Sequence, residues 1–142
     1  MAEITYKLID TSIPEDAIKI RHEVFQVEEI FIDDLDEIDK TCYHLVMYLN
    51  GEAIGTCRFF ISRIGVYHLG RFAIRKAYRH NNYGSLLLHE TENAIKKLGG
   101  NVVELDSQFD KRIFYIKNGY VSTGKPLFLD ENYPHIHLKK SI

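Results

Sequence analysis

The chain predicts a mixed α/β (α+β) fold, a mostly antiparallel sheet flanked by about four helices, and three observations carry that expectation. Two apolar runs, Cys42 to Leu49 and Ala53 to Ser62, are joined by Asn50-Gly51, the strongest short-range hairpin signal a sequence offers. A third run from Val66 to about Arg75 leads through an Asn-rich loop into a helix-like segment that ends at Leu98. After that helix comes Val102 to Leu105, apolar apart from Glu104. A strand reached through a helix is expected to pair in parallel with its predecessor by a right-handed crossover.

The elements follow in order. Residues 3–9 alternate, with Ile4, Tyr6 and Leu8 on one face, which predicts an opening strand. Ser12-Ile13-Pro14-Glu15-Asp16 supplies a capping Ser, an early Pro and two acids, and Ala17, Ile20, Val24, Phe25 and Val27 then recur at helical spacing to about Glu29. Asp33, Asp34, Asp36, Glu37 and Asp39 superficially suggest a calcium loop. The Gly at the sixth position and Glu at the twelfth that such a loop needs are missing, so the segment reads as a solvated loop or short helix. In the helix before Leu98, the apolar residues Leu87, Leu88, Ala94 and Ile95 share a side, Lys96 and Lys97 suit its C-terminal end, and Gly99-Gly100 stop it. Asp110 to Asn118 reads as a short helix closed by Gly119, and Tyr120 to Thr123 and His135 to Lys139 as strands around a loop at 124–134.

At 142 residues, 45% of them hydrophobic, the chain suits one domain, 1–142, able to bury a core. Eighteen basic against twenty acidic residues leave no global attraction for nucleic acid, so any affinity for phosphate must be local. No stretch approaches the ~20 apolar residues of a membrane span, and Met1 to Lys7 lacks a leader pattern, so a cytoplasmic protein is expected. Cys42 and Cys57 have no paired spacing and read as small buried hydrophobes in a reducing compartment.

The stretch Arg79-His80-Asn81-Asn82-Tyr83-Gly84-Ser85 carries the chemistry. A strand that stops, a loop with one Gly, and a helix without an acid in its first turn leave backbone N–H groups without intrahelical partners, and the helix dipole and Arg79 add positive charge there. Phosphate or pyrophosphate is the natural ligand of such an end.

Arg79-x-x-Asn82-x-Gly84 resembles the Arg/Gln-x-x-Gly-x-Gly/Ala loop of the GNAT superfamily of N-acetyltransferases, with Asn82 in place of one glycine. Ile20 to Glu29 resembles the first helix of that superfamily's ElaA-like and YjcF-like branch. Gly55-Thr56-Cys57-Arg58 and Leu69-Gly70-Arg71-Phe72 match further stretches, and Phe114-Tyr115-x-x-x-Gly119-Tyr120 resembles its Phe-Tyr-x-x-x-Gly-Phe signature. The matches fall in family order over about residues 20–137.

The resemblance implies the GNAT acyl-CoA N-acyltransferase fold, with strands 4 and 5 splayed to admit pantetheine. Acetyl-CoA is then the cosubstrate, transferred directly to an amine within a ternary complex, and no metal is needed. Phe72, Ala73 and Ile74 would offer backbone to the pantetheine, Ile74 also the oxyanion donor, while Arg79, His80, Asn81, Asn82, Tyr83, Gly84, Ser85 and Phe114 complete the cofactor contacts. Tyr115 would be the catalytic acid: a phenol with a pKa near 10 is protonated at neutral pH and can protonate the leaving thiolate. Glu28, Glu29, His68, Asp106 and Gln108 are the acceptor-side candidates, and the acids at 33–39 would favour a cationic amine. The base stays open among Glu28, Glu29, His44, His68, Asp106 and a water chain. His135 and His137 would share a strand face, two possible ligands without a visible third, too few for a metal site. The acceptor, a small amine or peptide amine, is unspecified, and so is whether the protein is a homodimer. A non-catalytic acyl-CoA-binding regulatory module is the alternative; nucleotide binding of the G-x-x-x-x-G-K-S/T kind finds no match.

Overall fold

The computed structural model describes residues 2–31 and 34–142; Asp33 lies outside them. The strands are β1 (Ile4–Asp10), β2 (Tyr43–Leu49), β3 (Glu52–Arg63), β4 (Val66–Ile74), β5 (Val102–Gln108), β6 (Val121–Ser122), β7 (Phe128–Asp130) and β8 (Tyr133–Ser141). Among the described residues the α-helices are α1 (Glu15–Arg21), α2 (Tyr83–Lys97) and α3 (Arg112–Lys117), three rather than about four. The strand order is β1-β2-β3-β4-β5-β8-β6, with β7 on β8, and β4 and β5 are parallel as the crossover requires. Asn50 and Gly51 have φ of 51° and 84°, the pair of left-handed residues that a two-residue hairpin loop demands.

Several local expectations need correction. Ser12 does not cap α1: Pro14 is the N-cap, in extended backbone and without a side-chain cap bond. The helix beyond Arg21 widens into a π-helical stretch, His22–Glu28. In β1, Leu8 is exposed while Ile9 is half-buried, so the alternation slips near the strand's end. The segment 124–134 is not wholly loop, because β7 pairs there with β8 from Phe128↔His135 to Asp130↔Tyr133.

The chain forms two compact units, Met1–Phe60 with Arg71–Thr91, and Ile61–Gly70 with Glu92–Ile142. In the first, Ala17, Ile20 and Val24, at the i, i+3, i+7 spacing of one helix face, bury against Val46, Tyr48 and Ala73, with Ile13, Phe25 and Ala53 around them. The short-helix arm of the sequence reading holds, as a 3₁₀ turn over Glu37–Lys40, and Glu37 stays exposed, but Asp34 and Asp39 are buried rather than solvated, which corrects the sequence reading for those two. Arg21, 1% exposed, donates to Asp34 Oδ2 and Asp39 Oδ1, each at 2.7 Å, and also to the Asp34 carbonyl. Arg58 donates to Asp36 Oδ1 at 2.6 Å and Asp39 Oδ1 at 2.8 Å, and Arg71 Nε to the Asp34 carbonyl at 2.8 Å. Asp36 closes the set with a capping box over the 3₁₀ turn Glu37–Lys40. Burial raises the Asp39 pKa, but bonds from Arg21, the Asp36 N–H and Arg58 outweigh it and hold the carboxyl well below the usual carboxylate range.

In the second unit β5 lies between β4 and β8, parallel to one from Val66↔Val102 to Leu69↔Leu105 and antiparallel to the other from Val102↔Ser141 to Gln108↔His135. Val103, Leu105, Tyr120 and Leu138 are buried there.

Candidate active site

The candidate anion cradle belongs to the first unit. After Ile74 a single 3₁₀ turn, Lys76–Tyr78, precedes His80 and Asn82, both left-handed at φ 65° and 68°. Non-glycine residues pay for this conformation, and Asn pays least. Asn82 therefore does in this loop what a glycine does elsewhere. Its carbonyl accepts from the Leu86 N–H at 3.2 Å, which makes it the N-cap of α2 and leaves the Tyr83 and Gly84 N–H groups without an acceptor inside the helix. No acid occupies the first turn. Asn81 Nδ2 donates to the Arg79 carbonyl at 3.0 Å, tightening the bend. These features fit a pyrophosphate.

Arg79 is already engaged. Its Nε donates to the Ile74 carbonyl at 2.8 Å, and both terminal nitrogens grip Glu28, Nη2 to Oε1 at 2.8 Å. Glu28, expected on the acceptor side, is thus the partner of the loop arginine; Glu29 sits half-buried at the end of the π-helical stretch, its N–H on the Val24 carbonyl at 3.0 Å. Neighbouring Arg75 binds Glu23 at 3.0 Å and Glu52 at 3.1 Å. Ala73 and Ile74 are buried, Phe72, Tyr83, Gly84 and Ser85 half-buried, and His80 and Asn81 exposed.

Tyr115 belongs to the second unit, half-buried on α3 beside Phe114, the two rings 5.0 Å apart. Gly119, at φ 98°, ends this helix in the paired bonds of a Schellman turn: Gly119 N–H to the Ile116 carbonyl and Tyr120 N–H to the Tyr115 carbonyl, each at 3.1 Å.

The same unit holds a histidine–carboxylate cluster. His68 Nδ1 lies 3.7 Å from Glu104 Oε1 and Nε2 lies 3.9 Å from Asp106 Oδ2; His137 Nε2 lies 3.4 Å from Glu104 Oε2. Burial pushes the His68 pKa down against the pull of Asp106 and Glu104, so the ring favours its neutral form. Burial raises the Glu104 pKa, yet a bond from Ser62 and the charges of His68, Arg63 and His137 hold it below its ordinary value. Asp106 is exposed and Gln108 half-buried. His135 and His137 are both buried on β8, as their spacing predicts, but turn to separate partners. His135 Nδ1 donates to the Tyr133 carbonyl, and His137 Nδ1 meets Thr123 Oγ1, each at 2.9 Å.

His44 lies elsewhere, buried in the first unit with Nε2 on the Asp39 carbonyl at 2.9 Å and 3.4 Å from Cys42 Sγ. Ligand atoms of Asp39, Cys42 and His44 fall within 4.8 Å of one another, but the Asp39 carboxylate already serves two guanidinium groups and Cys42 is pushed up to about 11 by burial, a poor thiolate.

A family model, the acetyltransferase (GNAT) domain, matches residues 11–142. The chain belongs to the GNAT family. It is 28% identical over 128 residues to YjcF of Bacillus subtilis, an uncharacterised N-acetyltransferase, covering 89% of this chain and 91% of that one. Among solved structures, a Lactobacillus plantarum protein superposes with a TM-score of 0.86 at 27% identity, covering 99% of this chain and 97% of that one. Escherichia coli ElaA superposes at 0.85 with 21% identity, covering 98% and 100%. The expected GNAT fold and the relationship to the YjcF and ElaA kind hold, and the activity is that of an acyl-CoA-dependent N-acetyltransferase in the general sense.

As a GNAT protein, the chain gathers its expected residues into three places: the loop at 79–85 with Glu28, the end of α3 with Phe114 and Tyr115, and the cluster around His68 and Asp106. Glu104 and Glu92 were missed as candidates for a role, while His137 was considered only as a metal ligand and Tyr120 only as part of the signature. Glu104 had a signal, being the one acid in an apolar strand.

Proposed function

We propose that this chain is a single acetyl-CoA-dependent N-acetyltransferase domain whose pyrophosphate rests on the loop at 79–85 and whose Tyr115 protonates the departing thiolate. The observation that carries the reading is Asn82, left-handed at the N-cap of an acid-free α2 in a GNAT chain. The amine nitrogen attacks the thioester carbonyl, the carbon–sulfur bond breaks, and the phenolic proton of Tyr115 passes to sulfur. The Ile74 N–H is the oxyanion donor in this scheme. His68 takes the amine proton, directly or through water. It is favoured over the other base candidates by its neutral ring, its half-exposed position and the two carboxylates that would stabilise the imidazolium. Asp34, Asp36 and Asp39 are engaged by Arg21, Arg58 and Arg71, and Glu37 pairs with Lys40, so these acids give no reason to expect a cationic acceptor.

The test is calorimetric titration with CoA and with pantetheine, beside a turnover screen of acetyl-CoA over amine classes. Gly84→Val places a β-branched residue beside the first-turn N–H groups and is expected to weaken CoA by at least ~2 kcal/mol while sparing pantetheine; Asn82→Gly is expected to be nearly neutral. Unchanged CoA affinity in Gly84→Val refutes the cradle. Binding without turnover of any amine would favour the acyl-CoA-binding module instead.

A further inference from the structure

α3, the helix that carries Tyr115, is short and weakly held. It has six residues, no side-chain N-cap and no buried residue, and a helix of that length has little stability of its own. Apart from the adjoining Phe114 ring, what fixes Tyr115 therefore lies outside α3. Tyr115 is three residues from the cap in the Schellman turn, so its carbonyl accepts from the Tyr120 N–H at 3.1 Å, and its ring meets the Tyr120 ring edge-on at 6.0 Å and 75°. Tyr120 is the anchor, 1% exposed.

The anchor is itself oriented by charge. The Tyr120 hydroxyl donates to Glu92 Oε2 at 2.9 Å, and Lys140 Nζ donates to Glu92 Oε1 at 2.9 Å from 5.7 Å off the Tyr120 ring centre. Glu92 is buried at 7% exposure on α2, where a leucine would cost far less desolvation. Gly119 fits the same arrangement: a Cβ there would lie 3.1 Å from Lys140 Cε.

We propose that Glu92, Tyr120 and Lys140 form a positioning triad for Tyr115: the carboxylate, neutralised by Lys140, locks the Tyr120 phenol, and Tyr120 sets the direction of the Tyr115 ring. The inference rests on the reading of Tyr115 as the acid for its kinetic consequence, though not for its structural one. A carboxylate held between two donors fixes the phenol's rotation as an apolar contact cannot.

The experiment uses the full chain labelled with 3-fluorotyrosine, the Tyr115 resonance being assigned by its loss in Tyr115→Phe. In Tyr120→Phe the Tyr115 signal should broaden or split, kcat should fall about tenfold with the acetyl-CoA KM within about twofold, and Tyr115→Phe/Tyr120→Phe should be no slower than Tyr115→Phe alone. Glu92→Gln, which keeps an acceptor, should move the signal the same way with a loss of about threefold, and it serves if Tyr120→Phe melts too low to study. An unchanged Tyr115 signal in a folded variant overturns the proposal, and so do losses that multiply in the double variant. Full turnover by Tyr115→Phe would remove Tyr115 from the chemistry and leave the fluorine signal alone to decide the positioning.

Discussion

Two groups of buried charge behave differently. Around Asp39 in the first unit, Arg21 and Arg58 meet carboxylates at 2.6 to 3.1 Å with two donors on Asp39 Oδ1, and Arg58 Nε is the one buried side-chain nitrogen or oxygen without a partner among the described residues. Around Glu104 in the second unit, histidines meet carboxylates at 3.4 to 3.9 Å, on average a looser set of contacts. A guanidinium keeps its proton at any physiological pH, so the first group can only hold the segment from Asp34 to Lys40 in place. An imidazole, by contrast, can exchange its proton within the physiological pH range. Fixed pairs can serve only architecture, whereas titratable ones are also available for chemistry.

The contrast can be broken by mutation. Arg21→Met leaves Asp34 and Asp39 buried with half their donors gone and should cost about 3–5 kcal/mol, lowering Tm by roughly 10 °C in a thermal melt. A shift under 2 °C would mean that the arginine network supports nothing. In the second unit, Tyr115→Phe should leave Tm almost unaltered and reduce kcat by roughly two orders of magnitude, with CoA affinity intact by titration. His68→Asn should lower kcat/KM about tenfold and remove the acidic limb of its pH profile. If that limb persists, another group is the base.

The smallest effect is a pH dependence of stability. Burial lowers the His44 pKa, so the unfolded chain takes up a proton near pH 6.5 before the folded one does. Stability is then fully present above about pH 6.5 and falls below it by up to about 1.4 kcal/mol per pH unit, down to the folded pKa. Asp36 and Asp39, both lowered, add a second loss on further acidification, below about pH 4. Denaturant midpoints of the parent and of His44→Gln between pH 7 and 5 should diverge; parallel curves would place the acid sensitivity elsewhere.

Local chemistry explains what was legible beforehand. The Asn50-Gly51 turn, the β4–loop–α2 junction and the Gly119 stop are set by residues a few positions apart, and each forms where the sequence predicts. Even the departure from family pattern at Asn82 could be anticipated from its tolerance of left-handed backbone. Asp34 and Asp39 were misjudged because Arg21, Arg58 and Arg71, which pack around them, lie 13 to 37 residues away. A charge run looks solvated until its distant partners are known. The same distance hid Glu92, whose partners Tyr120 and Lys140 follow 28 and 48 residues later.

The grip of Glu28 on Arg79 bears on how affinity responds to ionic strength. On the proposed reading, a polyanion arriving at the loop must share a guanidinium that a carboxylate already holds, and the two side chains, each 30% exposed, are open to screening. Added salt weakens the ligand's attraction, but it loosens the internal competitor as well. The two changes oppose each other, so binding here should fade more slowly with salt than at an arginine that waits uncommitted.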